Sequence, residues 1–361
     1  MDSIAERPPA VKFVKRTLSE ADLALIHALQ VRPRASWTSL AGVLAESAQT
    51  LAARWARLRG QGIAWITAYP STDRTGCVAL VEVDVAAGML DAVCTRLDPD
   101  RRVVSIEHAA RGRDLLLTVF GLDFADISAT LLDDLGRLPG VVAIRTHMAA
   151  ALLMEGSRWH LDSLDPAQRA TLQAREPIAP AGPVVDLGQH PTYAQLAAAL
   201  AEDGRATASQ LAAATGRPES TVRRQLARLL RSGALTFRCE IAQMWTAWPV
   251  GVTWWCRVPT QAQAGLVDAL RRESRVRLCM SVTGPENFLI VMWTASMQDL
   301  MRMQGWLETC LGAGVIGDTS VILRTRKRMG WMLHPDGRCT GEIYPPVRTL
   351  DDTPAWPTRA E

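Results

Sequence analysis

The sequence predicts an α+β chain built twice on one plan: two winged-helix-like helix-turn-helix domains, each followed by a ferredoxin-like βαββαβ domain. Three observations carry this. "GRPESTVRRQLARLLRSG" (216–233) has the spacing of an amphipathic helix entered through a tight turn. Shifted by 171 residues, the chain matches itself without a gap over "ASWTSLAGVLAESAQTLAARWARLRGQGI" (35–63) and "ATASQLAAATGRPESTVRRQLARLLRSGA" (206–234). After each copy, apolar runs follow in the same strand–helix–strand order.

The first copy opens with "LSEADLALIHALQ" (18–30), a helix with Ser19 as N-cap and Leu23, Ile26 and Leu25 or Leu29 facing inward. In the second, "YAQLAAALAED" (193–203) ends at Gly204. "TASQLAAAT" (207–215) starts at the N-cap Thr207 and ends at Gly216. A third helix runs from about 218 to 232, with Val222, Leu226, Leu229 and Leu230 on its buried face. Pro218 suits its first turn and Gly233 its left-handed C-cap. The core positions pair across the shift: Leu40 with Leu211, Leu51 with Val222, Trp55 with Leu226, Leu58 with Leu229 and Gly62 with Gly233.

The sheet domains read alike. In the first, strands at 78–85, 102–110, 114–120 and 141–154 alternate with helices at 87–97 and 124–138. In the second, strands at 251–258, 276–282, 287–294 and 319–333 alternate with helices at 261–273 and 297–311. The expected boundaries are 17–68 and 76–156 for the first pair of domains, then a linker over 157–191. The second pair is expected at 192–240 and 248–333, with a loose tail over 341–361. Pro and Gly concentrate at 176–191. Each sheet has helices on one face only, so the other face is open for pairing.

The charge distribution separates the copies. The third helix of the second copy carries Arg223, Arg224, Arg228 and Arg231, with Arg217 just ahead, against one acid, Glu219. Paired Glu–Arg ladders, the usual dress of a solvated helix, are not expected here. At the matching positions, Glu46 stands for Arg217, and Ala52 and Ala53 stand for Arg223 and Arg224. The first copy keeps Arg54, Arg57 and Arg59. Net charge over all 361 residues is only +3, so any nucleic-acid surface is local.

Other features exclude function classes. Seven cysteines, at 77, 94, 239, 256, 279, 310 and 339, include no C-x-x-C pair. They suit reduced, mostly buried thiols rather than a zinc site. "MAAALLM" (148–154) is far too short to span a bilayer, and "MDSIAERPPAVKF" lacks a signal peptide's apolar core. No membrane association and a cytoplasmic location are expected. Lysine occurs only at 12, 15 and 327, and alanine is abundant, as in GC-rich bacterial coding.

A helix-turn-helix followed by a βαββαβ domain resembles the Lrp/AsnC family of bacterial transcription regulators. "QLAAATGRPESTVRRQLARLLRSGAL", "TGPENFLIVMW" and "VILRTRKRMG" carry the resemblance. It covers nearly the whole chain in tandem, the first half being more divergent. The resemblance implies that the helix-turn-helix binds double-stranded operator DNA and that the sheet domains pair, in a homo-oligomer. It also implies a small effector, such as an amino acid, near the loop between the second and third strands.

The expected DNA-contacting residues are Arg217, Ser220, Thr221, Arg223, Arg224 and Arg228. Ser220, Thr221 and Arg223 lie in the first turns, where bases are read. The expected effector residues are Thr283, Gly284 and Asn287. Glycine there allows close backbone approach to a ligand, although an ordinary hairpin explains it equally well.

Trp254 and Trp255 are adjacent in one strand, so one faces the helix-covered core and the other the open sheet. Arg324, Arg326 and Arg328 alternate and share a face of the last strand. The siroheme decarboxylases resemble the same family and also combine two units, which makes a tetrapyrrole enzyme the alternative. The six histidines (27, 108, 147, 160, 190, 334) are expected to form no close cluster. With no nucleophile motif, phosphate loop or metal-ligand spacing, the residues point to a regulator without catalytic residues, metal or cofactor.

Overall fold

The computed structural model describes residues 18–71, 76–174, 183–271, 273–312 and 314–349. Most of the expected signal-free start and the end of the tail lie outside these residues.

Local chemistry sets the helix ends. The first helix-turn-helix contains α1 (Glu20–Val31), α2 (Trp37–Leu44) and α3 (Ala48–Gly60). Ser19 caps α1 in a reciprocal capping box with Asp22, and Ser36 and Ser47 cap α2 and α3. The second contains α7 (Pro191–Glu202), α8 (Ala208–Thr215) and α9 (Glu219–Ser232). Thr207 caps α8 in a capping box with Gln210. Gly216 and Gly233 end α8 and α9 with φ of 65° and 67°, in the left-handed region that glycine enters without steric penalty. Pro218 is the N-cap residue of α9 rather than part of its first turn. At the position equivalent to Gly216, the first copy places Ala45 with φ of 53°, a conformation strained for a residue with a Cβ.

Each helical unit runs into a wing strand, β1 (Ala64–Pro70) or β6 (Leu235–Ile241). These two strands pair with each other, antiparallel, from Ala64 opposite Ile241 to Pro70 opposite Leu235. The helix-turn-helix units of the two halves are therefore joined through a two-stranded ribbon.

The first sheet domain comprises β2 (Cys77–Val85), α4 (Leu90–Leu97), β3 (Val103–Ala109), β4 (Leu115–Gly121), α5 (Phe124–Ala129) and β5 (Val141–Met154). The second comprises β7 (Val250–Cys256), α10 (Thr260–Leu270), β8 (Val276–Val282), β9 (Phe288–Thr294), α11 (Met297–Leu311) and β10 (Ile316–Arg328). The helix expected over 124–138 is broken. After α5 it widens into a π turn at Thr130–Asp134 and tightens to 3₁₀ at Leu135–Arg137. The strand expected over 319–333 also breaks. Met329 and Gly330 turn the chain back into β11 (Trp331–Leu333), which pairs with β12 (Cys339–Ile343).

The open sheet faces are not left for another molecule. Strand β5 pairs with β2 along Val141–Met148 and then with β8 along Ala149–Met154. Strand β10 pairs with β7 along Ile316–Ile322 and then with β3 as far as Lys327. These two long strands close eight strands into the ring β10-β3-β4-β2-β5-β8-β9-β7. Helices cover the outer faces, over the cores that contain Val81 and Leu117 in one half and Trp254 and Ile290 in the other. Leu80, Leu116, Trp255, Met280 and Leu289 fill the interior between the halves. The two adjacent tryptophans divide as their alternation requires, and both are buried.

The part of the expected linker over 157–174 is packed rather than free, and residues 175–182, which run into its Pro- and Gly-rich stretch, lie outside the described residues. Trp159, Leu161 and Leu164 and then Leu172 of α6 (Pro166–Ala174) join the core of the first helix-turn-helix. The start of the tail is held as well: Val347 is buried and Arg348 grips Asp126 with two contacts of 2.8 and 2.9 Å.

Candidate functional site

The third helix of the second unit presents an arginine surface. Val222, Leu226 and Leu229 of α9 are buried, which turns Ser220, Arg223, Arg224, Arg228 and Arg231 outward; Thr221 is half-buried. One ion pair lies on this face: Arg223 Nη2 meets Glu219 Oε1 at 2.5 Å, one helical turn away. That single Glu–Arg pair corrects the expectation that none is present. The Arg223 side chain is 72% exposed, so the pair is worth only about 0.3–0.5 kcal/mol and yields readily to a phosphate. Arg228 leans toward the ring of Tyr193, at 5.8 Å from its centroid. Arg217 is turned back: its guanidinium donates to Gln225 Oε1 (2.8 Å) and to the Thr192 carbonyl (3.2 Å). It braces the start of α9 against α7.

Helix α3 has spent its charge internally. Arg54 donates to both oxygens of Glu46, at 2.8 and 3.0 Å, and approaches Asp22 at 3.4 Å. Arg57 pairs with Asp22, and Arg59 with Asp203 at 2.7 Å. Two of these three acids, Glu46 and Asp22, lie in the first helix-turn-helix itself. The divergence between the copies is therefore more than a loss of arginine. Acids neutralise the arginines that remain.

The two units are locked by a reciprocal exchange. Arg205 donates Nη1 to the Pro33 carbonyl and Nη2 to the Ala35 carbonyl, both at 2.7 Å. Its counterpart Arg34 donates to the carbonyls of Gly204 and Ala206, the latter at 3.0 Å. Arg205 also stacks 4.0 Å above the Trp37 ring. Residues 34 and 205 are separated by the same 171 positions as the repeat, so the exchange is a pseudo-two-fold contact.

The expected effector loop is occupied by structural contacts. The Asn287 amide bridges the backbone of Val258, accepting from its N–H and donating to its carbonyl, both at 2.9 Å. Thr283 exchanges with Met148: its N–H donates to the Met148 carbonyl (2.9 Å), and its hydroxyl accepts from the Met148 N–H (3.0 Å). Gly284, at φ 118°, lies beside the His147 ring. The loop thus caps the junction of β5 and β8, and the geometry favours the hairpin reading.

A cavity lies instead between the wing ribbon and one end of the strand ring. It has a volume of about 140 Å³. Tyr69 and Arg238 reach it from the ribbon, Glu107 from β3, Arg277 and Met280 from β8, and Trp293 from β9. Arg328 also lines it, so the arginines of the last strand do not share a face. Register shifts in β10 turn Arg328 inward, while Arg326 grips Asp98 outside at 2.6 and 2.8 Å.

Glu240, 1% exposed, is the hub of the arginines, at 2.7 Å from Arg238, 3.4 Å from Arg277 and 3.9 Å from Arg328. Burial pushes its carboxyl up, but the three guanidiniums hold it below the usual range. Burial pushes the Glu107 carboxyl up.

A wider cleft of about 360 Å³ adjoins this cavity through Glu155 and Arg277. His27, His160, Arg158, Arg169 and Arg271 line it. The fold stacks His27 on His160 at 5.8 Å, so two histidines far apart in sequence do meet. His27 Nδ1 accepts from the N–H groups of Ser163 and Leu164, at 3.0 and 3.1 Å. Burial, with His160 and Arg169 nearby, pulls the His27 pKa down to about 3; burial and Arg169 bring His160 to about 4. Both rings are neutral at neutral pH. Among the described residues no group of three His, Cys, Asp or Glu could hold a metal ion.

Family models match both helical units. An AsnC-type helix-turn-helix domain matches residues 18–59, and a winged helix-turn-helix DNA-binding domain matches 198–236. The first helical unit is thus of the AsnC type and the second of the winged helix-turn-helix type. No curated protein matches its sequence at a significant level. Among solved structures, the siroheme decarboxylase NirDL is similar over 86% of this chain and 93% of its own, with a TM-score of 0.56 at 12% identity. The same enzyme in complex with an iron-uroporphyrin III analogue gives 0.55 over the same shares. A transcriptional regulator from Neisseria meningitidis, solved with L-Met, is similar over 41% of this chain and 97% of its own, at 21% identity and a TM-score of 0.36. The decarboxylase likeness establishes a shared tandem fold.

Sequence reasoning missed three features of this chain. The Arg34–Arg205 exchange was readable as two arginines at equivalent repeat positions. The cavity was not, because its arginines come from β6, β8 and β10 and carry no common spacing. The pairing of the wing strands was equally silent, since the short runs at 64–70 and 235–241 name no partner.

Proposed function

We propose that this chain is a DNA-binding transcription regulator that engages double-stranded operator DNA chiefly through α9. The observation that carries this reading is the contrast between the third helices: α9 exposes Arg223, Arg224, Arg228 and Arg231, whereas Arg54, Arg57 and Arg59 of α3 are tied to acids. Ser220, Thr221 and Arg223 lead the helix into the major groove, Arg224 and Arg228 meet phosphates, and Arg217 steadies the entry turn. A small effector, such as an amino acid or related carboxylate, acts through the sheet domains. The expected contacts at Thr283, Gly284 and Asn287 require that loop to release its present partners. A second chain supplies a second α9, since one chain holds one strong copy. No helix among the described residues is long and apolar enough to cross a membrane.

The test is a salt titration. The double variant Arg223→Ala/Arg224→Ala is compared with wild type on genomic duplexes by fluorescence anisotropy. Each lost phosphate contact shallows the log–log salt slope by about 0.9. Arg54→Ala/Arg57→Ala in α3 is the control, with the slope expected to hold. If the α9 variant keeps both affinity and slope, the reading is wrong.

A second reading, a tetrapyrrole enzyme, is favoured by one feature. The cleft beside His27 and His160 sets Arg158, Arg169, Arg271 and Arg277 around one space, as a polycarboxylate would require. Its fold is shared with a siroheme decarboxylase. Adding iron-uroporphyrin and recording the visible spectrum decides between them: a saturable shift favours the enzyme, and an unaltered spectrum favours the regulator.

A further inference from the structure

We propose that the cavity between the wing ribbon and the strand ring binds a small apolar monocarboxylate, with Arg277 and Arg328 on the anion and Leu116, Met280 and Trp293 around the hydrocarbon. Its role as an effector site rests on the regulator reading above; the binding itself does not.

Four observations support this. First, unpartnered donors line the cavity. The side chains of Arg277 and Arg328 are 6% and 9% exposed, yet the Nη1 atom of each is buried without a hydrogen-bond partner. An unmet buried donor on a charged group is costly, and a carboxylate is the natural acceptor for guanidinium N–H groups. Burial, with Arg238 and Arg328 beside it, pulls Arg277 well below the ordinary arginine range. A guanidinium does not release its proton in a protein; the Trp293 and Trp159 rings, 3.7 and 4.3 Å from Arg277, and the shared Glu240 compensate part of its charge, and a further anion would satisfy the two free Nη1 atoms.

Second, the acids nearby are occupied. Glu240 serves all three arginines. Glu155 accepts from the Tyr69 hydroxyl at 2.9 Å. Glu107 accepts from Thr325 at 3.4 Å, and burial pushes it toward the neutral acid. Glu240 Oε1 lacks a hydrogen bond of good geometry, yet it lies 2.7 Å from Arg238 with Arg277 and Arg328 also close, so three guanidiniums gather around one firmly ionised carboxylate and leave an excess of positive charge for an anion. This favours a plain carboxylate over a zwitterion.

Third, the remaining walls are mostly apolar, with the hydroxyl residues Ser105 and Thr118 as exceptions. Leu80, Leu116, Phe120, Leu152, Met280 and Val291 line them. A cavity of roughly 150 Å³ accommodates a benzene-sized body, and this one measures about 140 Å³.

Fourth, the location couples the halves. Tyr69 and Arg238 belong to the ribbon that joins the helix-turn-helix units, while Arg277 and Arg328 belong to the ring. A ligand that draws on both groups has different contacts in each ribbon–ring arrangement, which is what a shift in DNA affinity requires.

Calorimetry on the intact chain tests the proposal. Benzoate and hexanoate are the probes, with benzamide and hexanamide as neutral counterparts of matching shape. Loss of charge-assisted hydrogen bonds predicts an amide at least about tenfold weaker than its acid. Met280→Trp fills the space and abolishes acid binding while the protein still melts cooperatively. Arg277→Gln erases the preference for acid over amide. Should that variant fail to fold, Arg328→Lys keeps the charge, loses the fork and weakens the acid alone.

Equal binding of acid and amide, undiminished acid binding to Met280→Trp, or no binding of either acid at millimolar concentration would overturn the assignment. DNA titration with and without benzoate separates this from the regulator reading. Benzoate binding that leaves DNA affinity unaltered supports the cavity and removes the effector role. DNA binding that depends on α9 with no acid binding supports the regulator and removes the cavity.

Discussion

Replacing Arg205 by alanine isolates the contact that makes one unit of two helix-turn-helix domains. The side chain makes two charge-assisted hydrogen bonds of 2.7 Å, to the carbonyls of Pro33 and Ala35, and lies 4.0 Å above Trp37. Hydrogen bonds to charged groups contribute about 1.5–3 kcal/mol each, and a cation–π contact about 0.5–2 kcal/mol. Arg205 is half-buried, so water re-solvates part of what is lost, and the low ends of those ranges apply. Their sum is about 3.5 kcal/mol. Arg34→Ala loses two hydrogen bonds and no close stacking partner, because Phe237 is 5.5 Å away. Its loss is smaller, about 3 kcal/mol.

The assay is urea unfolding of wild type, both single variants and the double variant, read by tryptophan fluorescence. Since both arginines hold the same interface, the double variant should lose less than the sum of the singles. Arg205→Lys should recover little, because one ammonium cannot reproduce a fork aimed at two carbonyls. A loss below about 0.5 kcal/mol for Arg205→Ala, within the range of an ordinary surface substitution, would refute the argument that this exchange fixes the pair.

Two further outcomes follow from buried or strained positions. Lys327 is fully buried, its Nζ donating to the carbonyls of Asp98 and Asp100 at 2.8 Å, and burial pulls its pKa from 10.5 to about 7. Unfolding therefore takes up a proton between pH 7 and 10.5, so this group's contribution to stability rises with pH across that window, by at most about 1.4 kcal/mol per pH unit. Denaturant titrations from pH 7 to 10 should lose that component of slope in Lys327→Met, and an unaltered slope would contradict it. Ala45→Gly should stabilise the first helix-turn-helix by up to about 1 kcal/mol, since the strain of an alanine at φ 53° exceeds the added chain entropy of glycine; a lower melting temperature would contradict it.

The legible parts of the fold were those with a local cause. The N-caps Ser19 and Thr207, the left-handed glycines at 216 and 233 and the Val222, Leu226 and Leu229 stripe of α9 are settled within a few residues and stand where their patterns placed them, whereas Leu230, expected on that buried stripe, is 39% exposed. The split of Trp254 and Trp255 follows from strand alternation alone. What failed depended on distant partners. Arg324, Arg326 and Arg328 alternate in sequence, but register shifts against β3 send Arg328 inside. His27 and His160 meet because the segment after β5 folds back over α1. The Val258 backbone that Asn287 holds was likewise silent, because nothing in its neighbours in sequence points there.

Closing the ring alters what the tandem arrangement means for control. Had each sheet kept an open face, an effector could act by changing which chains pair. Here β5 and β10 stitch both sheets together within one molecule, and separating them would break two runs of strand pairing and expose the tryptophan-containing interior. The boundary between ribbon and ring is built differently. It is a charged layer in which one carboxylate, Glu240, serves three arginines, beside a cavity. Polar layers with unmet donors have close alternative arrangements, whereas a close-packed apolar interior has few. On the regulator reading proposed above, a signal entering the sheet domains would meet a stiff ring on one side and an adjustable polar seam on the other. The helix-turn-helix pair, held together by Arg34 and Arg205, would then shift as one body, and DNA affinity would change through the presentation of α9 rather than through the spacing of α3 and α9.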